Sequence, residues 1–298
     1  MRILRRAQPR WAPTESSLEW QDSTLAEIAW DKSRGAGRRW GIAGAVLGAL
    51  VGLVAFAPAS WLAQGLASAT SQYVILADAR GTVWDGSAVL LLTGGPGSRD
   101  ASALPGRLNW NIGLHKLGLE IRASQDCCLN GQVALQVTPG WGRMKISLVP
   151  PAAGWVGQWP SSWLSGLGTP WNTLQLEGQV RLSSSGLSFE SVQGRWLVTG
   201  QADMDLTDIS SRLSTRRPLG SYRLSLEGDG GSNGGPALTL TTQTGALQLN
   251  GAGTWGANGL RFRGEATSRE EDQAALQNLL NIIGRRDGAR SVISIGLA

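Results

Sequence analysis

His115 is the single histidine of the chain, so any Ser-His-Asp relay or imidazole base would have to be built on it. Cys127 and Cys128 are the two cysteines, side by side in "SQDCCLNG". Zinc needs three or four Cys, His or carboxylate ligands at compatible spacing, and this set does not supply them. The acidic candidates Asp78, Asp85, Asp126, Glu177, Glu190, Asp203 and Asp205 are scattered along the chain. Two carboxylates that met in space could do acid–base work, but no motif pairs them. Asp203 and Asp205 fall on one face of a strand, where they could bind a cation; a solvated face is the expected reading. There is no Gly-x-Ser-x-Gly, no Walker loop and no helical His-Glu-x-x-His. These residues argue against an enzyme and call for no cofactor and no metal.

Two stretches keep alternatives open. In a strand, Cys127 and Cys128 would point to opposite faces and stay free. In a turn, which Asp126 and Asn130-Gly131 favour, they could form a vicinal disulfide. The second stretch is "RGTVWDGSAVL" at 80–90, which reads as a binding loop or as a strand corner. With no nucleotide or metal machinery around it, the corner is the expectation. Asp85-Gly86 would be the turn dipeptide, Gly86 would need positive φ, and Trp84 would seal one end of a sheet.

The elements that position these residues follow from composition. The chain has 298 residues with 41 Gly and 14 Trp, and only 16% are charged. Its net charge is +5, but residues 1–39 carry 8 Lys/Arg against 5 Asp/Glu, which leaves 19 against 17 for the remainder. A near-neutral body lacks the basic face that a nucleic-acid binder concentrates, so no nucleic-acid partner is expected.

Residues 40–57 form an apolar run of 18 residues. As a helix it covers about 27 Å, the thickness of a hydrocarbon core. Arg38, Arg39 and Trp40 flank one end and Trp61 the other, and no Lys or Arg follows until Arg80. The positive-inside rule then places the N-terminus in the cytoplasm. A cleaved signal peptide fits less well, because Pro58 would occupy the first mature position. The expected organisation is a flexible basic cytoplasmic tail at 1–39, a transmembrane anchor at 40–60 and a periplasmic β-rich domain at 61–298.

From Tyr73 onward, short alternating apolar runs are separated by Gly, Pro, Asn and Asp, the period of half-buried strands. The expected fold is mainly β: one N-terminal transmembrane helix, then a curved antiparallel sheet body. Residues 150–171 hold four Trp and four Pro and interrupt the pattern with a short helical excursion. Their Trp155, Trp159, Trp163 and Trp171 would either pack or, if exposed, offer a partner surface. Ser268 with Glu271 reads as a capping box before an amphipathic helix. That helix carries Leu276, Leu279, Leu280 and Ile283 on one face and stops at Gly284, and a last strand follows at 291–296.

The ordered set "GTVWDGSA", "LNWNIG", "LEGQVRL", "PLGSYRLSLEG", "TTQTGALQLNGAGTW", "LRFRGEATS" and "ALQNLLNIIGRRDG" resembles type II secretion system protein N, over roughly residues 40–298. The resemblance implies an accessory, non-catalytic inner-membrane component of the machine that exports folded periplasmic proteins, with other inner-membrane secretion subunits as partners. An anchor followed by a long sheet with one apolar face also resembles AsmA-like envelope proteins. That alternative implies a β-groove that binds or transfers lipid.

Overall fold

A computed structural model of the chain describes residues 38–192, 195–229, 235–256 and 259–296. The expectation for the tail before Arg38 lies outside these residues. The chain divides into two compact units, Met1–Phe56 and Ala57–Ala298. In the first, α1 (Arg38–Ala55) is the one described helix long and apolar enough to cross a membrane. Its Trp40, Leu47 and Val51 are exposed, as is Phe56 just after it.

The second unit opens with α2 (Ala59–Ala69), entered through Pro58, whose fixed φ suits the residue before a first turn. At its end Thr70 N–H donates to Leu66 O, and Ser71 and Gln72 take left-handed φ of 48° and 63°. That reversal feeds β1 (Val74–Gly81) back along the helix, and β1 pairs with β2 (Asp85–Thr93). Next come β3 (Ala101–Ala103), β4 (Leu108–His115), β5 (Gly118–Ser124), β6 (Gln132–Gly140) and β7 (Arg143–Leu148). The Trp-rich stretch is only partly helical: it forms β8 (Trp155–Pro160), a 3₁₀ turn at Ser161–Leu167 and the four-residue α3 (Trp171–Leu174).

The longest hairpin is β9 (Leu176–Val192) with β10 (Arg195–Ser211), 17 residues each. β11 (Gly220–Asp229), β12 (Ala237–Gly245), β13 (Leu247–Gly256) and β14 (Gly259–Ser268) continue the meander. After α4 (Gln273–Ile283), β15 (Arg285–Asp287) and β16 (Arg290–Ile295) close it. One curved antiparallel sheet runs β1-β2-β4-β5-β6-β7-β9-β10-β11-β12-β13-β14-β16-β15. β3 pairs β2, and β8 pairs β9 beyond the stretch where β7 does.

Register keeps one face apolar from strand to strand: Ile112 faces Ile121, Ile121 faces Leu135, and Leu135 faces Leu148. Each end of that face is roofed by a helix. α2 lays Leu62, Ala63 and Leu66 on Leu76, Ala88 and Trp110. α4 buries Leu276, Leu279 and Leu280 on Leu219, Leu247 and Ala266, using the helical stripe read from the sequence.

Two local expectations are corrected. Ser268 does not cap α4: it ends β14, a short 3₁₀ turn (Glu270–Asp272) intervenes, and no side chain caps the start. The strand pairing of Ser268 with Leu247 holds its backbone extended, which removes it from the cap position. Asp85-Gly86 is not a turn dipeptide either. Both residues are the first of β2, and the turn occupies 82–84.

Candidate functional site

The β1–β2 corner is where the chain enters the sheet. Val83 N–H donates to Ala57 O at 2.8 Å, and Pro58 pairs with Thr82. Gly81 carries the positive φ there, +86°, and a Cβ on it would lie 2.5 Å from Asp85 O. Gly86 is needed for a different reason. Its φ is ordinary, but a Cβ would stand 2.6 Å from Trp110 Cζ2 and 2.7 Å from Arg80 O. Trp110 lies across the strand pair from Gly86, buried, and its Nε1 donates to Val83 O at 3.0 Å. Trp110 is thus a ring that seals this end, because the missing side chain of Gly86 leaves room for it, and Trp84 beside it is half-buried.

Around the corner lies a polar cleft of about 350 Å³, lined by Arg80, Asp85, Asn109, Asn111, Arg122 and Gln132 among others. Asn111 Nδ2 donates to Asp85 Oδ2 at 3.1 Å. Beside it Asp78, at a bulge with φ 50°, accepts from Arg107 Nη1 at 2.7 Å and pairs with Arg80 at 2.7 Å. Arg107 also donates to Asp78 O and to both Ser87 O and Ser87 Oγ. The Arg107 hydrogen bond, then that of Arg80, holds the Asp78 carboxyl below its ordinary range. The arrangement is an ion-pair clamp joining β1, β2 and the approach to β4.

The other sequence candidates stand apart. His115 Nδ1 lies 3.4 Å from Glu120, whose carboxyl is lowered mainly by the hydrogen bond from Arg122. Glu177 meets Arg212 and Arg217, and Glu190 meets Arg143. Asp203 accepts from Ser225 Oγ, while Asp205 pairs with Arg223 and keeps that guanidinium protonated more firmly. Asp126 sits exposed in the turn before the cysteines. Among the described residues no three His, Cys, Asp or Glu side chains gather as a metal site.

Cys127 and Cys128 lie in that turn and are joined as a vicinal disulfide, with Cys128 buried. At the far end of the strands, away from the corner, the four tryptophans do not form one stripe. Trp159 and Trp163 stack at 6.3 Å, and Trp163 Nε1 donates to Ser102 O at 3.1 Å. Arg181 lies over Trp155 at 5.4 Å. These three rings are half-buried; Trp171, the first residue of α3, is the more open one. A second cleft, about 490 Å³, opens at this end beside Asp100, Ser162, Asn172, Gln175, Glu177 and Arg212. Of the anchor flanks, Arg38, Arg39 and Trp40 belong to the first turn of α1, while Trp61 belongs to α2 in the second unit.

Arg107, Trp110 and Arg181 were missed from the sequence. An arginine before a strand and a tryptophan within one carry no periodic signal that names their partners. The spacing "DG" before "LNW" offers the sole hint of a glycine facing a ring.

No curated protein and no solved structure matches the chain. The family model described as type II secretion system (T2SS), protein N, matches residues 72–293, from the start of β1 into β16. That span takes in the β1–β2 turn, the Trp-rich end and α4, with α2 lying before it, and the chain belongs to the type II secretion system protein N family.

Proposed function

We propose that the chain acts as a non-catalytic inner-membrane subunit of the type II secretion machinery, whose family it shares. In this reading α1 supplies the single-pass anchor expected at residues 40–60. Residues 1–39 form the cytoplasmic tail, and 61–298 form the periplasmic body. The family match over residues 72–293 carries the reading. Support comes from an apolar helix led by Arg38 and Arg39, and from carboxylates engaged in ion pairs rather than aimed at a nucleophile.

The Trp155, Trp159, Trp163 and Trp171 end is the surface offered to other inner-membrane secretion subunits. Trp171 is its most open ring, and aromatic anchors dominate such contacts. A photo-crosslinking residue at Trp171 is expected to capture a secretion-platform subunit. Deletion of the chain is expected to leave folded substrates in the periplasm, and Asp85→Asn to restore export. Export unaffected by the deletion would overturn the role. A reporter fused after residue 298 that is active only in the cytoplasm would overturn the topology.

A further inference from the structure

The β1–β2 corner marks one end of the sheet, and the hairpin tips at that end run past it. Asn111 pairs with Asp85 at the corner, and β4 then continues for four residues to His115, about 13 Å at strand rise. The β6–β7 hairpin extends further still, from Val137 opposite Leu119 to a turn at Trp141-Gly142.

These tips are apolar where turns are ordinarily polar. Leu114 is 90% exposed, Leu117 89% and Trp141 fully open. Trp255, at the end of β13 on the same side, is 56% exposed. Among the described residues, these four are the only large apolar side chains of the unit exposed by more than half, and all lie at this one end. Single exposed apolar residues need no account, but a set confined to one rim does. Lys116, with φ 50°, sits between the two leucines, and Arg143 and Lys145 follow Trp141.

The chain enters the sheet at this same end. α1 ends at Ala55, and Ala57 is already hydrogen-bonded into the corner. Two residues span at most about 7 Å. If α1 crosses a membrane, the corner at the base of this rim is held within that distance of the end of the span.

Resting on the reading of α1 as a single span, we propose that the β4–β5 and β6–β7 tips enter the interfacial layer of that same membrane. Leu114, Leu117 and Trp141 supply apolar contact, while Lys116 meets lipid phosphates and Arg143 stays paired with Glu190. Tryptophan and snorkelling basic residues suit this layer.

The test uses the full chain in vesicles of phosphatidylethanolamine and phosphatidylglycerol. Leu114→Cys, Leu117→Cys and Trp141→Cys each carry an environment-sensitive dye, attached under oxidising conditions that keep Cys127 and Cys128 joined. Arg212→Cys, exposed at the opposite end, is the control. Tip probes should emit to the blue of the control. Shallow spin-labelled lipid should quench them severalfold more than iodide does, and the control should show the reverse. Tip probes as open to iodide as Arg212→Cys would overturn the proposal. So would tip shielding that appears only when other secretion subunits are reconstituted, since that marks a protein contact. Alkaline carbonate extraction separates the two readings. Release of the chain would sink the anchor and the tip contact together, whereas retention with water-exposed tips sinks the tip contact alone.

Discussion

At the scale of single residues, the corner turns on what is absent from Gly86 as much as on what Trp110 supplies. A side chain at position 86 would meet Trp110 Cζ2 and two backbone oxygens, neither of which can move without breaking the strand pair. Gly86→Val is expected to cost about 1–3 kcal/mol or more, as overpacked sites do. Trp110→Ala should cost about 3–5 kcal/mol, through an emptied cavity and a lost hydrogen bond to Val83 O. Asp85→Asn should be close to neutral, because the carboxylate is exposed and accepts from Asn111, a bond that an amide oxygen can also accept. Urea denaturation of the purified chain in detergent orders the three; a destabilised Asp85→Asn would give that carboxylate a structural weight it lacks here.

Asp78 brings a pH dependence at the same scale. Arg107 and Arg80 depress its folded pKa, so the unfolded chain binds the proton more readily. Its contribution is complete above the unfolded carboxylate value of about 3.9 and is lost as pH falls through the lower folded value. Stability measured from neutral pH into acid should therefore fall less steeply in Asp78→Asn than in the parent chain. An identical acid limb in both would show that the clamp does not stabilise the folded state.

At the scale of elements, α4 holds by its stripe and not by its cap. Leu280 is fully buried, and Leu280 O accepts a hydrogen bond from Ser291 Oγ in β16. Leu280→Ala should cost about 2–5 kcal/mol, and Leu280→Met less than about 1.5 kcal/mol. Ser268→Ala should change little, since no side chain caps the start of this helix. A large loss in Ser268→Ala would restore the capping box that the sequence suggests. The stripe was legible because spacing within one helix is a local property. The cap was misread because Ser268 is claimed by a β partner 21 positions earlier, Leu247.

At the scale of the molecule, two separate cores roof the two ends of one sheet and share no residue. Trp110→Ala and Leu280→Ala should accordingly add within about 0.5 kcal/mol in a double-mutant cycle. A larger interaction energy would mean that the half-buried face between them couples the ends. The sequential meander makes such separation natural, because nearly every strand pairs with its neighbour in the chain.

The alternation of apolar and polar residues, the apolar run after Arg39 and the leucine stripe of α4 each lie within one short segment. Side-chain direction repeats every two residues in a strand and every 3.6 in a helix, so these patterns were readable without partners. Together with the ordered motifs, they determined the fold class and the family. The tertiary structure alone decided the Arg107 clamp to Asp78 across 29 positions and the Trp110 bond to Val83 across 27. It alone also gathered the exposed hairpin tips at the end where the chain enters. Such contacts depend on strand register, which is set by pairing between segments, and no periodicity within a segment records it.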